Sequence, residues 1–216
     1  MEELTLIQKI VVWVIPVIFA ITVHEVAHGR VAKYYGDNTA WMLGRLTLNP
    51  LKHIDPIGTI LVPGLMLAFT GFVFGWAKPV PVNVRNLRNP KHDMAIVALA
   101  GPMANMIMAT GWALFARLGV LINSSEVSIP MIYMGIAGIM INLVLGLLNL
   151  LPIPPLDGSR ILSWALPGRW GYYYNQFEQY GFYLLALLLM TNSLDVILGY
   201  PLSIAKGLFF TLAGLQ

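Results

Sequence analysis

Cysteine is absent from all 216 residues, so neither a disulfide nor a thiolate metal site can form, and any metal must be held by His, Asp or Glu. Charge is scarce as well. Only 11% of residues are charged, against about 25% in a soluble domain. By contrast, 57% are hydrophobic and the mean hydropathy is +0.72. A globule of this size cannot hide so much apolar surface, so part of its solvent is lipid. No fixed-period repeat, low-complexity run or long polar stretch interrupts the chain. The expectation is one membrane-embedded domain over residues 1–216. The net charge of +3 does not call for nucleic acid, because Lys and Arg in a membrane protein mostly mark cytoplasmic loops.

What is present is a series of apolar runs. A spanning helix needs roughly 20 mainly apolar residues. The runs fall at residues 5–35, 57–76, 92–118, 130–151, 172–191 and 194–215. The first is too long for a secretory signal and reads as a retained helix. These runs predict an all-α polytopic membrane protein with five to six transmembrane or re-entrant helices.

Arg30 and Lys33 close the first run, and Arg45 and Lys52 follow it. Lys78, Arg85, Arg88 and Lys91 lie after the second run, and Arg160 and Arg169 after the fourth. Residues 119–129 contain neither Lys nor Arg. The positive-inside rule puts the amino terminus outside and the basic loops in the cytoplasm. Both flanks of 57–76 are then positive, which suggests re-entry with a turn at Pro63-Gly64. An ordinary crossing with a positive outer loop is the alternative. The stretch KPVPVNV, residues 78–84, alternates Pro and Val and reads as an extended strand or β-hairpin at the membrane surface.

Residues 24–28 read HEVAH. Positions i and i+4 share a helix face, so His24 and His28 can hold one metal ion together. Glu25, one step round, can act as general base toward water activated there. With four His and five Glu in the chain, such a match arises by chance on the order of 0.002 times. Ionisable groups within a span are costly and mark function.

A hydrolytic zinc site commonly uses three protein ligands. His53, His92, Glu2, Glu3, Asp37, Asp55, Asp93 and Glu126 sit in loops or at ends, and Glu178 and Asp195 at the edges of the last runs. Asp157 differs. Pro152, Pro154 and Pro155 stop the fourth run just before it, and the chain then extends so that the carboxylate can point back into the bundle. Gly158 adds backbone freedom. The two histidines lie roughly 10–17 Å below the cytoplasmic surface, the side from which Asp157 enters. A turn-forming Asp-Gly is the plainer reading of that pair.

HEVAH on an early helix, followed by NLLPIPPLDG at 149–158, resembles the site-2 protease family of intramembrane zinc metalloproteases. The stretches GWAKPVPVN (75–83) and AGPMAN (100–105) look like its compact bacterial-type members. The resemblance covers most of residues 23–158. It implies one Zn2+ per chain on His24, His28 and Asp157, with Glu25 as catalytic base and Asn149 binding substrate backbone or the oxyanion. It also implies a transmembrane protein or peptide as substrate, within the bilayer of a plasma membrane and with the site toward the cytoplasm. No loop is long enough for the regulatory PDZ domain of some members.

Asn149 can equally bond a neighbouring helix, and Asn105 reads as structural beside Gly101. His53 and His92 read as interfacial. Lys206 in the last run has no assigned partner. A membrane metal transporter, or a scaffold descended from a protease, remains an alternative; the missing internal repeat argues against the first and the intact motif against the second. Since the chain has no native cysteine, Asn83→Cys gives a clean test of sidedness. It should react with an impermeant thiol reagent only from the cytoplasmic face. Labelling from outside intact cells would rule out re-entry of 57–76.

Overall fold

Inside lipid a backbone has no water to bond, so apolar runs fold as helices that satisfy themselves. The computed structural model describes residues 5–62, 64–65, 75, 77–122 and 124–215. Helix α1 (Leu6–Tyr34) opens on a capping box. Thr5 Oγ1 accepts from the Gln8 amide at 3.3 Å, and the Gln8 side chain accepts from the Thr5 amide at 2.9 Å. A short helix α2 (Thr39–Met42) follows, then single turns at Pro50–Lys52, Pro56–Leu61 and Val84–Asn86. The long helices α3 (Pro90–Ile122) and α4 (Ser125–Asn149) come next. Helices α5 (Asp157–Ala165), α6 (Arg169–Gln176), α7 (Glu178–Met190) and α8 (Ser193–Ala213) complete the described chain.

Among the described residues, four helices are long and apolar enough to cross a membrane: α1, α3, α4 and α8. The expected fifth span, 172–191, is divided at Phe177 into α6 and α7. The 13 residues of α7 extend only about 20 Å, short of a bilayer core of about 30 Å. Glu178, in the first turn of α7, pairs with Arg160 of α5 at 2.5 Å, which ties the break to the fold.

Helix α3 packs against α4 along its length, α1 lies across both, and α8 leans on α3 and α4. Small residues let these backbones approach. A Cβ on Gly138 would strike the Trp112 indole, and one on Gly135 would meet Ala116. Ala109, Ala113 and Ala116 are fully buried on the facing surface of α3. Without a hydrophobic drive between helices in lipid, such contact is what holds a bundle together. The outside is apolar, with Ile107 at 69% exposure and Leu208 at 68%. The inside holds His24, His28, Asn105 and Asn142. In water this distribution would be inverted.

The second apolar run begins and ends in one place. The Lys78 amide donates to the His53 carbonyl at 3.0 Å. A single crossing would separate its ends by roughly 30 Å. Among the described residues, its flanks at His53 and Lys78 are neighbours. The expected turn falls at Pro63, which lies outside the described residues, as do 66–74 and 76.

The expected β-hairpin is not found; no strand occurs among the described residues. Residues 77–83 are extended without a partner. Pro79 and Pro81 remove alternate N–H donors, so no ladder can run along that edge of the segment. Other groups take the amides of Lys78, Val80 and Asn83. Val80 N–H donates to Glu25 Oε2 and Asn83 N–H to Asp37 Oδ2, each at 2.7 Å. Arg45 donates to the Lys78 carbonyl at 2.9 Å. Asp37 is fully buried and accepts from Thr39, Asn83 and Asn86. Burial pushes its carboxyl up, but these donors hold it below its ordinary value.

Candidate metal centre

The local sequence dictates where each donor points. His24 and His28, one turn apart on α1, face the groove between α1 and α3. Their ring nitrogens Nε2 lie 3.0 Å from each other. Asp157 begins α5, directly after the proline-rich stop at the end of α4. Its Oδ2 lies 3.2 Å from His24 Nε2 and 3.3 Å from His28 Nε2. The sequence reading brought these three together, and among the described residues they form a group able to hold a metal ion.

The role expected for Gly158 needs correction. It sits within α5, not in a strained turn. A Cβ there would collide with the carbonyls of Leu150 and Leu151. Glycine is needed so that α5 can seat against the end of α4, which sets the position of Asp157. Tyr174 of α6 secures the loop by donating to the Pro152 carbonyl at 2.8 Å. Gly181 of α7 lies against Pro154.

Three observations fit this group to a divalent ion. First, ligand atoms held about 2.0–2.2 Å from a tetrahedral ion lie roughly 3.3–3.6 Å apart, and the triangle here measures 3.0 to 3.3 Å. Second, Asp157 Oδ2 is buried without a hydrogen-bond partner, a costly state unless a cation completes it. Third, Gly101 of α3 leaves open the space that both imidazoles face. A Cβ there would stand 2.6 Å from His24 Nε2 and closer still to His28 Nε2. Two imidazoles and one carboxylate also suit zinc by donor chemistry.

The far side of each ring is fixed. His28 Nδ1 is 2.7 Å from the Val97 carbonyl, which can only accept, so this nitrogen carries the proton. His24 Nδ1 is 2.6 Å from Asn105 Oδ1. Both Nε2 lone pairs are then turned toward Asp157.

A cleft of about 340 Å³ opens over the group. Glu25, Pro79, Val80, Val82, Asn149 and Arg160 help to line it. Glu25 thus shares a cleft with the three donors. Asn149 reaches it from the end of α4, and its amide also donates to the Leu145 carbonyl at 3.0 Å. His53 is buried rather than interfacial, 2.9 Å from the Thr47 carbonyl. His92 lies beside Asp93 and Trp164, away from the cleft. Lys206 lies 5.2 Å from the Phe210 ring.

Sequence reasoning missed the hold of Asn105 on His24 and that of Val80 on Glu25. A signal existed for the first. Gly101 and Asn105 are one turn apart in a spanning helix, so they share the face that meets the two histidines. No signal existed for the second, because a backbone amide has no signature in sequence.

The family model for peptidase family M50 matches residues 117–191. Several relatives carry the name "Putative zinc metalloprotease". YwhC of Bacillus subtilis is 41% identical over 186 residues, 82% of this chain and 80% of its own. Rip2 of Mycolicibacterium smegmatis is 32% identical over 82% of this chain and 66% of its own. MJ0611 of Methanocaldococcus jannaschii is 30% identical over 65% and 63%. No solved structure matches.

Gly101→Ala tests the open space at the centre. Alanine is the better helix former by about 1 kcal/mol, so the helix itself should not suffer. The added methyl should nevertheless abolish stoichiometric zinc binding by the purified protein. Zinc content equal to wild type would show that the rings do not use that space.

Proposed function

The chain belongs to peptidase family M50, and from that premise we propose that it is an intramembrane zinc endopeptidase. It would hydrolyse peptide bonds within or beside the transmembrane segments of other membrane proteins, the chemistry of regulated intramembrane proteolysis. The observation that carries the reading is the meeting of His24, His28 and the unpartnered Asp157 carboxylate, inside an apolar bundle and beside the Glu25 carboxylate. One ion per chain would be held by those three side chains. Bound there, zinc supplies Lewis acidity toward a peptide carbonyl and makes water more acidic.

The chain's own residues supply the rest. Asn105 and the Val97 carbonyl hold the imidazoles in the tautomer that presents Nε2. Glu25, oriented by the Val80 amide, takes a proton from the attacking water and delivers it to the leaving amine. The Asn149 amide has a second N–H beyond the one spent on Leu145, and offers it to the developing oxyanion. A helical substrate hides its carbonyls in its own hydrogen bonds, so it must unwind before attack. The extended segment 78–83, which walls one side of the cleft, suits an unwound strand alongside it. The charge pattern supports a site toward the cytoplasm.

Glu25→Gln separates metal binding from chemistry. The variant should retain zinc at the wild-type level. It should lose cleavage of a single-span substrate by roughly 10²–10⁴-fold. Proteolysis at the wild-type rate would remove Glu25 from its role.

A further inference from the structure

Two primary amides are wholly enclosed where α1, α3 and α4 meet. Asn105 and Asn142 are each 0% exposed. Burying an amide among apolar helices is costly unless its groups are matched. Here they are matched in series. The Asn142 side chain donates to the carbonyl of Gly138, one turn back on its own helix, at 2.8 Å. Asn142 Oδ1 accepts from Asn105 Nδ2 at 2.8 Å. Asn105 Nδ2 also donates to the Ala20 carbonyl at 3.3 Å. Asn105 Oδ1 lies 2.6 Å from His24 Nδ1.

This series has one direction. The carbonyls of Gly138 and Ala20 can only accept, so each amide must present its NH2 to them. That leaves Asn105 Oδ1 facing His24 and fixes the proton on His24 Nδ1. The two histidines are therefore held by different means. His28 leans on a main-chain carbonyl, which no side-chain substitution removes. His24 depends on a side chain, and that side chain on a second one from α4.

We propose that Asn105 and Asn142 are positioning residues, a two-amide relay that carries the packing of α4 and α3 to the ring of His24 and so sets the affinity of the metal centre. The inference rests on the reading of His24, His28 and Asp157 as a metal site. It gives these asparagines a task beyond joining helices, which buried polar residues also do in membranes. Gly146 of α4 packs beside Asn105. A Cβ there would come within 3.4 Å of Asn105 Cβ and of the Pro102 carbonyl, and closer to Met106.

The test uses the full-length protein in detergent. Zinc affinity is read by competition with a chelator, and thermal stability is read on the zinc-free form. Asn105→Ala should weaken zinc binding about 10–100-fold. Asn105→Asp keeps an acceptor toward His24 but loses both N–H donors to Ala20 and Asn142, so it should bind zinc more tightly than Asn105→Ala and less tightly than wild type. Asn142→Ala leaves every atom that touches His24 in place. It should weaken zinc binding by less than Asn105→Ala and shift the visible spectrum of the Co2+-loaded protein. If Asn105→Ala does not fold, zinc binding by Asn142→Ala weaker than wild type carries the same information. Variants that lose thermal stability but bind zinc as wild type does would overturn the relay and leave the protease reading intact. A wild-type protein that takes up no zinc would overturn both.

Discussion

Polar donors placed inside an apolar bundle must be matched, and at the centre of this protein the match is made between parts of the chain more than a hundred residues apart. His24 and His28 come from the first helix, and Asp157 comes from the turn after the fourth apolar run. Each is expensive where it stands. Their donor atoms converge within 3.3 Å, and one carboxylate oxygen has no other partner. The bundle exists in its observed form because it brings these groups together and closes around them.

Several features of the fold answer to that constraint. Glycine stands where backbones must come close, at Gly101 against the imidazoles and at Gly158 against the end of α4. Proline stands where a helix must stop, so that α5 can start with Asp157. Hydrogen bonds reach outward from the rings to Val97 and Asn105, and from Glu25 to Val80. The extended segment is held on both sides, by Glu25 of α1 and by Arg45. The cleft wall is thus tied directly to the residue that would move protons.

Much of this was legible in the sequence because its signals are periodic or chemically rare. The i, i+4 spacing of His24 and His28 fixes a shared face, and proline before Asp157 fixes the end of a helix. The long helices followed from apolar length alone. What escaped depended on tertiary context. The run at 172–191 is apolar enough to cross, but it breaks at Phe177 where Glu178 finds Arg160. The segment at 78–83 is extended, as its prolines require, but its donors find side chains and a loop carbonyl instead of a strand. Gly158 looked like a residue for flexibility and proved to be one for close approach. Asn142 gave no sign of its place, since a lone amide in an apolar helix can face any neighbour.

X-ray absorption on the zinc-loaded protein reads the central claim directly. Two imidazoles and at least one carboxylate oxygen should appear in the first shell, at about 2.0–2.2 Å. Asp157→Ala should change the oxygen contribution and leave both imidazoles. A first shell with fewer than two imidazoles, or a spectrum unaltered in Asp157→Ala, would contradict a metal shared between the first helix and the turn after the fourth apolar run.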